Sequence, residues 1–221
     1  MSDANAVHHE SNRHFYDRIA NAYDLIADDN ERAARQAGVQ ALDLEAGEAV
    51  LELGFGTGNE VLDLAKLVGP KGKVAGIDIS SGMLGVANRK LAEAKPPTPI
   101  DLRVGDARQL PFTDQEFNAV YTSFTLELFP PADIPTVLAE ARRVLKPGGR
   151  IGVVSMATVL PGHHTSALER VYVWMHRHFP HLVDCRPIDT EGVVSAAGFR
   201  IASVTNLEIW TMPVRVVVGR L

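Results

Sequence analysis

One glutamate and three glycines at the end of an apolar run are the residues best placed to do chemistry. The run covers residues 49–53, contains Glu52, and is followed by Gly54, Gly56 and Gly58 before a helical stretch begins. Glycine permits tight turns and lets a ligand approach the backbone closely. A loop of this kind between a strand and a helix predicts a binding site for a nucleotide-like cofactor.

Spacing and charge indicate which cofactor the loop binds. The dinucleotide fingerprint is G-x-G-x-x-G, whereas this loop reads G-x-G-x-G, and Asn59 stands where the third glycine is expected. A carboxylate at Glu52 would repel a pyrophosphate, but it would stabilise the positively charged amino group of a methionine moiety. The loop therefore favours S-adenosylmethionine over NAD, and an NAD-dependent oxidoreductase is the disfavoured alternative.

Two aspartates follow the next apolar runs. Asp78 ends the second run, 20 residues after Gly58, where its carboxylate can accept hydrogen bonds from two ribose hydroxyls. Asp106 lies in Gly105-Asp106-Ala107 after the third run, where it can accept from an adenine amino group while the Ala107 backbone contacts the ring. Both observations indicate an adenosine-type ligand without distinguishing the two cofactors. A helix cap at Asp78 and a turn at Asp106 are the plainer alternatives.

The elements that position these residues alternate between strands and helices, which is the pattern of parallel βαβ units. The apolar runs predict strands at 49–53, 73–77, about 100–104, about 117–123 and 150–157. Helices are predicted at 31–44, 59–68, from Ser80 or Ser81 to Pro96, 132–145, 165–179 and 190–197. The last two runs, 200–209 and 211–218, are too close for a crossover helix and predict an antiparallel hairpin.

Composition limits the classes of protein to which the chain can belong. Its 221 residues suit one domain, and a net charge of −5 leaves no electrostatic footprint for nucleic acid. Cys185 is the only cysteine, which excludes an intramolecular disulfide and a thiolate metal site and fits a reducing compartment. No signal peptide and no spanning helix are predicted, so we expect a cytoplasmic protein.

Five segments together resemble the motif series of class I S-adenosylmethionine-dependent methyltransferases. They are VLELGFGTGNEVLDLA, GIDIS with Met83 behind it, VGDARQLPF, FNAVYTSFTL and VLKPGGRI, within a match over about residues 15–157. Among these enzymes the chain resembles the ubiquinone/menaquinone C-methyltransferase group and related type-11 methyltransferases. The resemblance implies an α/β, Rossmann-like fold with a seven-stranded, mostly parallel sheet, helices on both faces and an antiparallel last strand.

The resemblance also implies S-adenosylmethionine as methyl donor, S-adenosylhomocysteine as product, and no metal. Glu52, Gly54 and Gly56 would line the methionine end, Asp78 the ribose, and Asp106 with Ala107 the adenine. The full expected set is Tyr23, Glu52, Gly54, Gly56, Gly58, Asp78, Ile79, Met83, Gly105, Asp106, Ala107 and Thr122, with Ser123 beside the donor. Met83 either packs on the adenine face or is ordinary core. Tyr23 either closes over the cofactor or belongs to a packed lid edge.

We expect a single methyltransferase domain in four parts. These are an N-terminal helical lid at 1–45, a cofactor-binding core at 46–157, a substrate-side helical insertion at 158–198 and a terminal hairpin at 199–221. The insertion supplies apolar residues that either line an acceptor pocket or form core, namely Tyr172, Trp174, Met175 and Phe179.

The acceptor and its chemistry stay open. A carbon or oxygen acceptor must lose a proton and calls for a base, whereas an amine needs only to be unprotonated. The candidates for a base are Glu127, His163, His164, His176, His178 and His181, and no catalytic residue is assigned. We expect a small-molecule acceptor, either quinone, phenolic or isoprenoid, or instead a phospholipid or other amine. A lipidic acceptor would bring transient contact with a membrane surface. A protein that binds S-adenosylmethionine without turnover is the third hypothesis.

Overall fold

A seven-stranded sheet organises the residues that the computed structural model describes, which are 23–158, 186–209 and 212–221, with side chains from residue 31 onward. The strands are β1 (Ala49–Leu53), β2 (Lys73–Asp78), β3 (Ile100–Val104), β4 (Phe117–Ser123), β5 (Leu145–Met156), β6 (Arg200–Ile209) and β7 (Met212–Arg220). The helices are α1 (Tyr23–Ala41), α2 (Asn59–Val68), α3 (Ser81–Ala94), α4 (Ile134–Val144) and α5 (Thr190–Ala196), with a 3₁₀ turn at Leu126–Leu128.

The strand order is β3-β2-β1-β4-β5-β7-β6. Strands β1 to β5 pair in parallel, and β7 lies between β5 and β6, antiparallel to both. The predicted α/β sheet and its antiparallel last strand are therefore confirmed. The chain order reverses between β1 and β4, so the loops that follow these strands diverge and leave a crevice at their carboxyl ends.

Helices cover both faces of the sheet because its parallel strands are apolar on both sides. In β1, Leu51 and Leu53 belong to a core cluster with α4 and α5, whereas Val50 belongs to a second cluster with α1, α2 and α3. This alternation follows from the two-residue period of a strand. The result is a three-layer α/β/α arrangement with the sheet in the middle.

Two predicted elements differ from the structure by more than two residues at a boundary. Helix α1 begins at Tyr23 rather than at residue 31, and it ends at Ala41 because Asp43 takes a left-handed backbone conformation with φ of +50°. Strand β5 begins at Leu145 rather than at residue 150. Leu145 pairs with Phe117, and residues 146–149 form a bulge before pairing resumes.

Helix α3 begins as one of the two predicted caps requires. The Ser80 side chain accepts a hydrogen bond of 3.0 Å from the Met83 amide, which satisfies a backbone donor in the first turn.

No helix among the described residues is long and apolar enough to cross a bilayer. The predicted helix at 165–179 lies outside the described residues, and the four-part division of the chain stays a prediction.

Candidate cofactor-binding site

A cleft lies at the carboxyl edge of the parallel strands, with an empty space of about 960 Å³ counted to its open mouth. The loops after β1, β2, β3 and β4 form its walls, as expected where a parallel sheet reverses its strand order. Eight of the predicted cofactor residues line it: Gly54, Gly56, Asp78, Ile79, Met83, Gly105, Asp106 and Ala107.

The glycine loop needs glycine for two different reasons. Gly54, Gly56 and Gly58 have φ of +74°, +49° and +80°, a region that other residues enter at a cost. A Cβ at Gly54 would lie 2.2 Å from Thr125 Oγ1, and one at Gly58 would lie 2.9 Å from Ala87 Cβ. A Cβ at Gly56 would meet nothing within 4 Å. Gly54 and Gly58 thus allow close packing, whereas Gly56 leaves open space in the cleft wall.

Asp78 joins the ends of two loops. Its Oδ2 accepts a hydrogen bond of 2.9 Å from the Gly56 amide, and its Oδ1 accepts one of 2.9 Å from the Ser80 amide. These bonds fix the carboxylate at the end of β2, half-buried in the cleft wall. A carboxylate fixed at this strand end is the kind of acceptor that the sequence predicts for the two ribose hydroxyls.

The wall after β3 combines an ion pair with apolar surface. Arg108 donates to both carboxylate oxygens of Asp106, with 2.6 Å from Nη2 to Oδ2, and its Nη1 donates to Asp133 at 2.8 Å. The Asp106 pair raises the pKa of Arg108. Asp106 is therefore held by a cation while it faces the cleft, and the buried Ala107 and Met83 supply the apolar lining beside it.

Glu52 and Thr122 lie at strand ends but do not line the cleft. Glu52 is 1% exposed, and neither of its carboxylate oxygens has a hydrogen-bond partner among the described residues. Burial raises the pKa of Glu52 well above its ordinary value, and the nearby Glu60 adds to the rise, while Arg35 opposes it. Thr122 is buried and pairs with Leu53 in the sheet. Their roles in cofactor binding stay predictions, as does that of Gly58 behind the loop.

Two charged residues of the cleft were missed by sequence reasoning. Arg35 reaches the cleft from α1, and Glu60 reaches it from the first turn of α2. Their side chains are 9% and 13% exposed, and Arg35 Nη1 lies 3.8 Å from Glu60 Oε1. Glu60 stands in the first turn of a helix that follows the glycine loop, and that position was the available signal. No local pattern marks Arg35.

The loop after β4 supplies most of the large apolar side chains that line the cleft. Ser123 lines it as expected, one residue beyond the predicted Thr122. Beyond Ser123 the lining residues are Phe124, Thr125, Leu128 and Phe129. Phe124 takes a left-handed conformation with φ of +49°, which turns the chain sharply after the strand.

Glu127 is buried beside this loop without lining the cleft. It is 1% exposed, its Oε1 accepts a hydrogen bond of 3.0 Å from the Met156 amide, and its Oε2 has no partner among the described residues. Burial raises the pKa of Glu127 to about 8. Its use as a base stays a prediction.

Several predicted residues fall where the structure does not describe side chains. These are Tyr23, Tyr172, Trp174, Met175, Phe179 and the five histidines between 163 and 181. Within the described ranges, no group of three His, Cys, Asp or Glu side chains is arranged to hold a metal ion.

Comparison with known proteins extends what the geometry shows. Residues 50–149 match the model of a methyltransferase domain. The chain is 38% identical over 158 residues to a demethylmenaquinone methyltransferase of Lactobacillus johnsonii, covering 70% of this chain and 64% of the relative. It is also 38% identical over 145 residues to a 2-phytyl-1,4-naphtoquinone methyltransferase of Synechococcus elongatus, covering 64% and 61%. These matches identify residues 50–149 as a methyltransferase domain and support a class I S-adenosylmethionine-dependent methyltransferase.

These relatives confirm the resemblance to the menaquinone methyltransferase group. This family implies S-adenosylmethionine as the cofactor, with S-adenosylhomocysteine as its product. The residues of this methyltransferase domain fit such a molecule, because the cleft presents an anchored carboxylate at Asp78 and the charged pair of Arg35 and Glu60. The chain spans somewhat less than two thirds of the length of the two quinone methyltransferases that it matches.

Solved structures share the fold at low sequence identity. The [4+2]-cyclase SpnF superposes with a TM-score of 0.74 and 18% identity over 94% of both chains. A methyltransferase of Aquifex aeolicus described as S-adenosylmethionine-dependent superposes with a TM-score of 0.63 and 20% identity, over 87% of this chain and 94% of the other. These similarities establish the Rossmann-like fold and no more, because one fold can serve different chemistries.

Proposed function

We propose that this chain transfers a methyl group from S-adenosylmethionine to a small-molecule acceptor, a quinone or a related phenolic or isoprenoid compound. One observation carries the proposal: a single cleft is lined both by a carboxylate that backbone amides hold in place and by aromatic and aliphatic side chains. Asp78 provides the first, and Phe124, Leu128 and Phe129 provide the second. The cofactor residues predicted from the sequence stay part of the proposal, although Glu52, Gly58 and Thr122 do not line the cleft.

The protein's task in such a reaction is mainly to position the reactants and exclude water. When bound, S-adenosylmethionine supplies a methyl group activated by its sulfonium. Asp78 orients the ribose, and Ile79, Met83 and Ala107 provide apolar surface for the base. The aromatic and aliphatic side chains of the loop after β4 exclude water from the reacting groups.

The acceptor is proposed from chemistry and from relatives together. Aromatic and aliphatic side chains of the loop after β4 line the cleft, and such a surface suits a flat, apolar ring. Two relatives are named as methyltransferases of demethylmenaquinone and of phytyl-naphthoquinone. A lipidic acceptor of this kind implies transient contact with a membrane surface. We also propose a cytoplasmic location, which the single cysteine of the chain supports.

The experiment supplies methyl-labelled S-adenosylmethionine with a demethylated naphthoquinol and, separately, with a phospholipid amine. We expect label in the quinone product, detected by mass spectrometry. Label only in the amine would replace the proposed acceptor by the amine alternative. The matched control is Asp78→Asn, which should lose labelling together with cofactor binding.

Binding of S-adenosylmethionine without turnover is the second candidate function. The shared fold of a protein described as a [4+2]-cyclase favours keeping it, because the same architecture supports chemistry other than methyl transfer. Calorimetry with S-adenosylmethionine, S-adenosylhomocysteine and NAD separates the cases. Tight binding with no methyl loss toward any acceptor would favour the second candidate, and tighter binding of NAD would contradict both.

A further inference from the structure

The charged residues of the cleft are unequally distributed. Among the described residues that line it, Arg35 is the only cation, whereas Glu60, Asp78 and Asp106 are acidic. Asp78 is held by backbone amides, and Asp106 is held by Arg108. Arg35 and Glu60 form a second pair of opposite charges in the wall of the cleft.

Packing between α1 and the sheet fixes the position of Arg35. The Tyr121 hydroxyl donates a hydrogen bond of 2.9 Å to the Arg35 carbonyl oxygen. One turn later, Gly38 lets the helix approach β4 and β5, because a Cβ there would lie 2.3 Å from Val154 Cγ2. The guanidinium then lies 5.8 Å from the Phe124 ring centroid. Arg35 is thus held at the cleft by contacts that do not depend on a ligand.

The Arg35–Glu60 pair is close but not tight. The 3.8 Å between Nη1 and Oε1 exceeds the length of a hydrogen bond, and Arg35 also donates to Glu31 from Nη2. Burial raises the pKa of Glu60, although Arg35 acts in the opposite direction. An additional cation beside Glu60 and an additional anion beside Arg35 would both be stabilised.

The buried carboxylate of Glu52 would also be stabilised by a cation near Glu60. Both oxygens of Glu52 are without hydrogen-bond partners among the described residues, and Glu60 and Arg35 are the two charges that act on it most strongly. A positive group placed near Glu60 would therefore favour the charged form of Glu52 as well.

We infer that Arg35 and Glu60 together bind the amino-acid end of the cofactor, Arg35 its carboxylate and Glu60 its ammonium. This inference rests on the proposed function, since it presumes S-adenosylmethionine in the cleft. An α-amino acid carries its two opposite charges a few ångströms apart, which matches a pair separated by 3.8 Å. Arg35 and Glu60 thereby distinguish the whole cofactor from nucleosides that lack its amino-acid end.

The test compares three adenosine-containing ligands that differ in that end. S-adenosylhomocysteine carries the amino acid, 5′-methylthioadenosine lacks it, and decarboxylated S-adenosylmethionine keeps the amine without the carboxylate. We expect Arg35→Met to weaken S-adenosylhomocysteine by about 10- to 100-fold in calorimetry, as expected for a hydrogen bond to a charged group. Binding of 5′-methylthioadenosine and of the decarboxylated cofactor should change by less than about twofold.

Glu60→Gln should give the complementary result. It should weaken both S-adenosylhomocysteine and the decarboxylated cofactor, because both carry the ammonium, and leave 5′-methylthioadenosine unchanged. Arg35→Lys should restore part of the lost affinity, since it keeps the charge. Arg32→Met, at an exposed position of the same helix, is the matched control and should affect no ligand.

The possible results separate the inference from the proposed function. If Arg35→Met weakens all three ligands equally, its role is structural and the inference fails. The inference also fails if Arg35→Met weakens none of them. If the unchanged protein binds neither S-adenosylmethionine nor S-adenosylhomocysteine, the proposed function fails first. Binding of 5′-methylthioadenosine by the variants confirms that they are folded.

Discussion

The two halves of the sheet differ in what they contribute to the cleft. Each of the parallel strands β1 to β4 is followed by a loop that lines the cleft, whereas β6 and β7 contribute no residue to its lining within the described part of the chain. The physical reason is position in the sheet. The strand order reverses between β1 and β4, where the crevice forms, whereas β7 and β6 lie beyond β5 toward one edge of the sheet.

One part of the sheet therefore lines the binding cleft, and the other part supports the fold. Strand β7 is buried along most of its length, and β6 is mostly exposed on the outside of the sheet. We therefore expect ligand binding to depend on residues of the parallel half and not on the hairpin, whereas residues of both halves contribute to stability. The following predictions test that division.

Gly54→Ala should have the largest effect. Its Cβ would collide with Thr125 while the backbone is in a left-handed conformation, so the free energy of unfolding should fall by about 2 to 5 kcal/mol. Gly56→Ala is the control, because open space surrounds its Cβ, and it should cost about 1 to 2 kcal/mol. Urea unfolding measures both, and equal losses would show that the close approach to Thr125 does not matter.

Asp78→Asn should weaken binding of S-adenosylmethionine by about 10- to 100-fold. An amide replaces a carboxylate that accepts from the Gly56 and Ser80 amides, so both the loop anchor and the ribose acceptor are impaired. Calorimetry measures the dissociation constant. Asp101→Asn, whose carboxylate pairs with Arg103 on β3, should leave it unchanged. An unchanged constant for Asp78→Asn would remove the main support for a ribose at this strand end.

Val217→Ala in the hairpin should lower the free energy of unfolding by about 2 kcal/mol, because it leaves a small cavity at a fully buried position. Binding of S-adenosylmethionine should stay within about twofold of the parent. Val204→Ala at an exposed position of β6 should change stability by less than about 0.5 kcal/mol. A large loss of binding in Val217→Ala would contradict the claim that the hairpin does not contribute to ligand binding.

Glu127→Gln should alter how stability depends on pH. The pKa of Glu127 is about 8 in the folded protein and ordinarily 4.5, so between these values only the folded state holds the proton. Stability of the parent should then fall as pH rises from 4.5 to 8, by at most about 1.4 kcal/mol per pH unit from this group. The variant should lose that part of the slope, and so gain relative to the parent at pH 8.

Unfolding at pH 5, 6.5 and 8 measures the Glu127 effect. Glu93→Gln at an exposed position of α3 is the control and should keep the parent slope. Parallel profiles for the parent and Glu127→Gln would contradict a buried, protonated Glu127.

Much of the fold could be predicted because the patterns that carry it are local. The apolar runs at β1, β3 and β4 match the observed strands, and the short connection before β7 correctly predicted an antiparallel pair. The start of β5 could not be predicted. Lys146-Pro147-Gly148-Gly149 is a strong breaker in sequence, yet parallel pairing with β4 spans it by a bulge.

The cofactor site divides in the same way. The glycine loop, Asp78 and Asp106 could be predicted from the amino-acid sequence, because each follows a strand directly and parallel strands bring their carboxyl ends to one edge. That Arg35 and Glu60 share the cleft could not be predicted, since it depends on how α1 packs on β4 and β5. The burial of Glu52 could not be predicted either, because it depends on how the helices pack over the end of β1 and not on the strand itself.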